Sequence, residues 1–220
     1  MKLDNLRERL SKRANTYPVS ATAYDLAYKS INRLTLLMLM KCLTIDTVDR
    51  GFLQRDEKYT CEFLDAERLR TFQQSGEYEM KRDFLDEAIR KGDECLAILD
   101  GDRLASYGWY STKPTKLNED LEINFDERYV YMYKGFTHPS YRGQRLHATG
   151  MSLALNHYLD QGYRGIVSWV EANNVSSLRS CYRMGYKDFG EIYIVKLFRK
   201  HFIRCSDGCE DYGVTVSAIR

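Results

Sequence analysis

Residues 137–147, THPSYRGQRLH, join an alternating apolar run to a long helical pattern. Within them, Arg142 and Arg145 stand on either side of Gly143, where a predicted strand passes into a predicted helix. The first turn of a helix offers unpaired backbone N–H groups and the positive end of the helix dipole. This turn therefore predicts an anion-binding site, with phosphate as the expected anion. The alternative is an ordinary helix start with surface arginines.

Strand and helix patterns alternate on both sides of this turn. The predicted strands are residues 58–65, 94–99, 103–111, 128–137, 165–171 and 189–198, and the predicted helices are residues 66–74, 77–90, 145–161 and 176–184. The polar residues 113–127 predict a loop, and residues 201–219 leave room for one further strand pair. This order predicts an α/β fold with a mixed sheet, which is antiparallel where hairpins join its strands.

The first 55 residues differ in composition from those that follow. Residues 1–15 carry leucines at helical spacing, and residues 20–43 carry a helical stripe made of Tyr24, Ala27, Tyr28, Ile31 and Leu34. The apolar run 34–43 has roughly half the length of a membrane span. It also contains Lys41, so we interpret it as a core element. The sequence therefore predicts a helical extension, residues 1–55, packed on a main domain, residues 56–220.

Charge and composition argue against several classes of protein. The 220 residues include 33 Lys and Arg and 31 Asp and Glu, and the net charge of +2 does not predict nucleic-acid binding. No membrane span is expected. The N-terminus lacks the apolar segment and the cleavage site of a signal peptide. We therefore expect a cytoplasmic protein.

Six cysteines are scattered along the chain, and five stand in or beside apolar segments. Cys205 and Cys209 form the one close pair, and their spacing does not match a structural zinc site. No metal is therefore expected. For this pair, reduced thiols in a turn are favoured over a redox disulfide.

A second segment, residues 169–186, continues from the predicted strand 165–171. It contains Asn173 and Asn174, a short helix, and then Gly185, which permits a left-handed helix end. Together the two segments resemble the GNAT superfamily of acyl-CoA-dependent N-acyltransferases, from about residue 58 to about residue 198. The resemblance implies a mixed, mostly antiparallel central sheet flanked by helices, to which the helical extension is added.

The resemblance also implies a binding site for acetyl-CoA as co-substrate. In the phosphate motif of the family, Arg142, Gly143 and Leu146 match, whereas Arg145 and His147 replace the two later glycines. The second motif of the family, which begins with an Asn near the pantetheine, is matched by residues 174–177, NVSS. The residues expected to bind the coenzyme are Phe136, Thr137, Arg142, Gly143, Gln144, Arg145, Leu146, His147, Asn174 and Ser177.

Three side chains are candidates for proton transfer. Glu171 stands at the C-terminal end of a predicted central strand, where the sites of α/β proteins gather. Glu127, acting through a water, is the second candidate base. Many family members carry a Tyr seven residues after the motif Asn, but Cys181 stands there in this chain. Tyr182, the next residue, is the candidate acid toward the leaving thiolate.

Three functions are consistent with the sequence. The leading hypothesis is acetyl transfer from acetyl-CoA to a primary amine of a small or amino-acid-like acceptor, with N–H groups of residues 133–137 stabilising the oxyanion. The second is transfer of a longer acyl chain through a tunnel lined by residues 34–43. The third is acyl-CoA binding without turnover. The acidic residues of 113–127 either attract a cationic acceptor or form a solvated loop. A homodimer is one alternative for the assembly.

Overall fold

A computed structural model describes residues 36–54, 56–197 and 200–219, together with Ala23 and Ala27, which are helical. The predicted helix in residues 1–15 and the stripe in residues 24–34, except Ala27, lie outside the described residues.

Between residues 36 and 219, the described residues form eleven strands and four α-helices. The strands are β1 (Leu36–Ile45), β2 (Tyr59–Phe63), β3 (Glu94–Asp100), β4 (Arg103–Ser111), β5 (Thr115–Lys116), β6 (Leu121–Asn124), β7 (Tyr129–Thr137), β8 (Gly165–Glu171), β9 (Lys187–Leu197), β10 (Lys200–Cys205) and β11 (Thr215–Ala218). The helices are α1 (Ala66–Ser75), α2 (Arg82–Lys91), α3 (Leu146–Asp160) and α4 (Val175–Arg183). Every strand and helix predicted between residues 58 and 198 is thereby confirmed, with shifted ends.

Eight strands form one sheet in the order β10-β9-β1-β8-β7-β4-β3-β2. All neighbours are antiparallel except β7 and β8, which are parallel. Helices cover one face of this sheet at α1 and α2 and the other at α3 and α4, each pair over its own buried apolar cluster. The structure confirms the predicted α/β fold with a mixed, mostly antiparallel sheet between helices.

The apolar run near the N-terminus is a strand, and the helix predicted over residues 20–43 is wrong for residues 36–43. β1 lies between β8 and β9 and is antiparallel to both. Cys42 and Leu43 have no exposed surface. A strand that is buried on both faces has a continuous run of apolar residues in its sequence. The spacing of apolar residues does not distinguish such a run from a buried helix. The predicted boundary at residue 55 therefore cuts off a strand of the main sheet, and the helical extension stays a prediction for residues 1–35.

The loop predicted over residues 113–127 contains β5 and β6, which form a second sheet with β11. Leu121 and Ile123 of β6 are buried against the large sheet. The strands predicted in residues 201–219 do not pair with each other, because β10 joins β9 and β11 joins β6. Short strands among polar residues lack a strong alternation of apolar and polar residues. Tertiary contacts therefore decide that β11 pairs with β6 and that β10 pairs with β9.

All six cysteines are free thiols. The sulfur atoms of Cys42 and Cys209 lie 4.0 Å apart, and both residues are buried. In the described part of the chain, none of the helices has both the length and the apolar content that crossing a membrane requires.

β7 and β8 separate partway along their length. Their parallel ladder joins Tyr129 to Gly165 and ends with Tyr131 opposite Val167. Just beyond it, the Ser168 hydroxyl donates a hydrogen bond of 2.8 Å to the carbonyl oxygen of Met132. On its other side, β7 pairs through residues 132 and 134 with two consecutive residues of β4, so that Tyr133 forms a β-bulge. The bulge bends β7 away from β8 and opens a cleft between the strands.

Candidate active site

The cleft consists of two adjoining cavities. The outer cavity has a volume of about 540 Å³ and lies against the first turn of α3. The inner cavity has a volume of about 450 Å³ and extends along β7 and β8 to the first turn of α4. Three residues line both cavities, namely Thr137, His147 and Ser180. The two cavities are therefore two ends of one site.

The Arg-Gly turn of the sequence forms the rim of the outer cavity. Gly143 has a φ of +85°, and a Cβ atom there meets nothing within 4 Å, so glycine is needed for its conformation rather than for space. Two tyrosine hydroxyls fasten the turn to the rest of the protein. The Tyr141 hydroxyl donates to Asp100 Oδ2 at 2.9 Å, and the Tyr59 hydroxyl donates to the side chain of Gln144.

The start of α3 supplies the backbone donors that the sequence predicted. Thr149 N–H donates to the Arg145 carbonyl oxygen at 3.0 Å, so the N–H groups of residues 146–148 precede the first bond of the helix. Leu146 is buried and anchors this turn. Arg142 Nε donates to the Thr137 carbonyl oxygen at 3.3 Å, which holds that guanidinium at the cavity. N–H donors, helix dipole and arginines converge on one concavity, which suits a phosphate group.

Arg145 occupies a left-handed backbone conformation, with φ 60° and ψ 13°, at the residue that caps α3. The family resemblance puts glycine at this position, and the structure gives the physical reason. A non-glycine residue pays roughly 1–2 kcal/mol in this region. The arginine therefore adds a positive charge to the outer cavity at a conformational cost.

We expect Arg145→Gly to raise the free energy of unfolding by about 0.5–1 kcal/mol. The released strain and the good capping by glycine outweigh the larger entropy of its unfolded chain. Chemical denaturation measures this difference. Arg145→Ala removes the same charge but keeps the strain and should bring no gain. If the alanine variant were as stable as the glycine variant, backbone strain at residue 145 would be refuted.

His147 stands at the junction of the two cavities, where it contacts β7 at Gly135. A Cβ atom on Gly135 would lie 2.5 Å from His147 Cε1 and 2.9 Å from Met132 Cε. Glycine at this position of β7 is therefore required for space. Burial lowers the pKa of the His147 imidazole below its usual value, so the ring is uncharged at neutral pH.

The first turn of α4 closes the inner cavity. Asn174 caps this helix, and its Oδ1 accepts from Ser177 N–H at 3.3 Å and from the Ser176 hydroxyl at 3.0 Å. The cap occupies the Asn174 oxygen and leaves its NH₂ group as the part suited to contact a ligand. Glu171 lines the same cavity, and its carbonyl oxygen accepts from Asn174 N–H at 2.8 Å.

The open edge of β7 faces the cleft between Met132 and Thr137. The carbonyl oxygens of both residues bond to groups on the cleft side, namely Ser168 and Arg142. Gly135 is two residues from Thr137, and alternate residues of a strand direct their backbone groups to the same edge. The N–H and C=O of Gly135 therefore face the cleft and are suited to pair with an extended ligand.

Most of the predicted coenzyme residues lie together at this cleft. Arg142, Gly143, Arg145 and Leu146 line the outer cavity, and Phe136, Asn174 and Ser177 line the inner one. Thr137 and His147 line both. Gln144 lines neither cavity, because its side chain is held by Tyr59.

Tyr182 does not belong to the cleft, which corrects its assignment as candidate acid. Its side chain is 44% exposed, and its hydroxyl donates to Asp188 Oδ1 at 3.0 Å. Consecutive residues of a helix point about 100° apart, so when Cys181 faces the cavity Tyr182 turns away from it. Cys181 lines the inner cavity, and burial raises the pKa of its thiol to about 11.

Glu127 is also far from the cleft. It precedes β7 and lines a separate depression with Arg128 and Tyr163. The cleft begins at the opposite end of β7, and the five residues from Glu127 to Met132 span roughly 16 Å of extended chain. One bridging water does not cover this distance, so the structure separates Glu127 from Glu171.

Several residues that line the cleft were not predicted from the sequence. Ser180 and Cys181 follow Ser177 at helical spacing, a signal that places all three on one face of α4. Ser168 and Trp169 lie in the predicted strand 165–171, but no pattern of neighbouring residues indicates that they line a cavity. Arg183 and Phe52 reach the outer cavity from separate parts of the chain. Among the described residues, no group of side chains suits a metal ion.

A model of the Acetyltransferase (GNAT) family matches residues 60–186, which is more than half of the chain. The protein therefore belongs to the GNAT acetyltransferase family, whose members transfer acyl groups from acyl-CoA. The match begins after β1, so the strand that joins β8 to β9 lies outside it.

Solved structures resemble this chain in fold at low sequence identity. A putative GNAT acetyltransferase from Novosphingobium aromaticivorans DSM 12444 matches with a TM-score of 0.50 and 14% identity, over 72% of this chain and 63% of the other. A Drosophila protein matches with a TM-score of 0.51 and 14% identity, over 75% of this chain and 52% of the other. This chain thus spans less than two thirds of either structure. No curated protein matches it.

Proposed function

We propose that the protein transfers the acetyl group of acetyl-CoA to a primary amine. One observation carries this proposal. The arginine-lined outer cavity at the first turn of α3 continues past His147 into an inner cavity that reaches the point where β7 and β8 separate. A long donor with phosphates at one end and a thioester at the other matches this arrangement.

The residues of the outer cavity suit the diphosphate of the donor. The N–H groups of residues 146–148 and the guanidinium groups of Arg142 and Arg145 bind its oxygens, and Gly135 pairs with the pantetheine along the open edge of β7. Acetyl-CoA supplies the thioester, whose carbonyl carbon is open to attack by an amine. N–H groups of β7 near its bulge stabilise negative charge that develops on the carbonyl oxygen.

Glu171 is our candidate for taking a proton from the acceptor. A primary amine arrives mostly as an ammonium ion and becomes a nucleophile only after it loses a proton. The Glu171 carboxylate lines the inner cavity and accepts this proton directly or through a water. The Cys181 thiol stays protonated at neutral pH because burial raises its pKa, so it is available as a hydrogen-bond donor in the same cavity.

The inner cavity favours a cationic acceptor. Besides Glu171, the aromatic residue Trp169 lines it, and aromatic rings attract ammonium groups. A small amine or an amino-acid-like compound fits the available volume of about 450 Å³. The tunnel hypothesis for a long acyl chain loses its basis, because residues 36–43 form a strand inside the sheet.

Calorimetric titration with acetyl-CoA, followed by a thiol-release assay over a panel of primary amines, tests the proposal. We expect saturable binding and amine-dependent release of coenzyme A. Octanoyl-CoA and palmitoyl-CoA in the same assay should react more slowly than acetyl-CoA. Faster release from the long-chain donors would contradict acetyl specificity. Binding without release over the whole panel would favour a non-catalytic acyl-CoA-binding protein.

A further inference from the structure

The segment that follows β1 contributes an aromatic wall to the outer cavity. Phe52 lines this cavity and ends a short 3-10 turn, Arg50–Phe52. The turn is held by Asp49, whose side chain accepts from Gly51 N–H at 2.8 Å. Phe52 lies outside residues 60–186, which match the family model. The N-terminal strand therefore brings to the cleft an aromatic ring that the matched region does not contain.

The charge of the outer cavity exceeds what one diphosphate needs. Arg183, in the last turn of α4, lines the cavity together with Arg142 and Arg145, and no Asp or Glu is among the lining residues. Within the described part of the chain, none of the three arginines forms an ion pair. Arg183 Nε donates to the Arg179 carbonyl oxygen at 3.2 Å, which leaves both terminal NH₂ groups for a ligand.

A donor with a second phosphate group matches this excess of positive charge. A phosphate monoester carries about −1.5 to −2 charges at neutral pH, in addition to the charge of a diphosphate. Arginine binds such a group with paired N–H donors. An aromatic side chain at the same cavity offers a stacking surface for a base.

We propose that Phe52 and Arg183 bind the nucleotide end of the donor, Phe52 against the adenine and Arg183 at the ribose 3′-phosphate. The inference deepens the proposed function and rests on it. It makes the protein selective for free coenzyme A thioesters over the same acyl-pantetheine arm attached to a carrier protein. Selectivity arises because the arm on a carrier protein, which is attached through a phosphodiester, carries neither the adenine nor the ribose 3′-phosphate.

Calorimetric titrations of the full chain with three donors test this assignment. The donors are acetyl-CoA, acetyl-3′-dephospho-CoA and acetyl-4′-phosphopantetheine. We expect the wild-type protein to bind the dephospho compound about tenfold more weakly than acetyl-CoA, the effect of losing one charged hydrogen-bonded contact. Arg183→Ala should abolish this difference and leave binding of the dephospho compound unchanged.

Phe52→Ala should weaken both nucleotide donors about tenfold, the effect of one lost stacking contact, and leave phosphopantetheine binding unchanged. Phe52→Leu retains an apolar side chain and should show the same pattern, which guards against a loss of folding in the alanine variant. Leu53→Ala is the matched control for the segment. Arg90→Ala in α2 removes the same charge far from the cleft and controls for net charge. Both controls should bind like the wild type.

Equal affinity of the wild-type protein for acetyl-CoA and its dephospho form would overturn the inference and leave the proposed function intact. So would equal losses of acetyl-CoA affinity in Arg90→Ala and Arg183→Ala. Absence of acetyl-CoA binding to the wild-type protein would overturn the inference and the proposed function together. Wild-type affinity for phosphopantetheine equal to that for acetyl-CoA would show that the nucleotide is not recognised.

Discussion

Gly135→Ala is expected to weaken acetyl-CoA binding at least about tenfold and to lower the free energy of unfolding by about 1–3 kcal/mol. The added Cβ atom falls 2.5 Å from His147 Cε1, so the imidazole has to leave its position against β7. Because His147 lines both cavities, the displaced ring enters the space that the donor needs. Calorimetric titration and chemical denaturation measure the two effects.

A second substitution separates this mechanism from a general loss of stability. Gly135→Ala combined with His147→Ala should regain most of the donor affinity, since only the flexible end of Met132 then has to move. Gly150→Ala is the matched control, because its Cβ atom would make an ordinary contact of 3.5 Å with Ile98 Cδ1 and α3 gains from alanine. Donor affinity that stays low in the double variant would exclude displacement of His147 as the cause.

Glu171→Gln is expected to lower kcat about 100-fold and to leave the affinity for acetyl-CoA unchanged within about twofold. The amide keeps the shape of the side chain but does not accept a proton from the ammonium group. The loss should shrink as pH rises toward the pKa of the acceptor amine, because the free amine then needs no base. Steady-state kinetics over a pH series, with titration of the donor, measures both parameters.

Glu127→Gln provides the matched control for this prediction. It makes the same chemical change at the opposite end of β7, where the side chain lines a different depression. We expect kcat within about twofold of the wild type, which is usual for substitutions away from the chemistry. A Glu171→Gln variant with more than half of the wild-type kcat would remove Glu171 from the mechanism and point to a water chain as the proton acceptor.

Local patterns pointed to many of the residues that line the cleft. Residues 137–147 and residues 169–186 each lie where a strand passes into a helix, and both helices line the cleft. Helix caps, turns that need glycine and the spacing of residues on one helix face each depend on residues that are close in the chain. They can therefore be predicted from the sequence. The turn at Gly143 is likewise predicted from local residues, although Arg145, two residues further on, departs from the family pattern.

Other features depend on residues that are distant in the chain. The apolar residues 36–45 do not recur with a spacing that distinguishes a strand from a helix. Only their pairing with β8 and β9 shows that they form a strand. Tyr182 and Cys181 differ by one residue, and only the packing of α4 shows which one faces the cavity. Glu171 and, through a water, Glu127 were both candidate bases, and the parallel pairing of β7 with β8 places them at opposite ends of these two strands.

By itself, the sequence determined the order of strands and helices between residues 58 and 198 apart from β5 and β6, the turn at Gly143 and the cap of α4. Each of these features is encoded by residues that are close together in the chain. Only the tertiary structure decided that an N-terminal strand completes the large sheet, that His147 needs Gly135, and that Phe52 and Arg183 meet at one cavity. These facts follow from which surfaces pack together. A local pattern carries no information on contacts between different strands and helices, whether they lie close in the chain, as Gly135 and His147 do, or far apart, as Phe52 and Arg183 do.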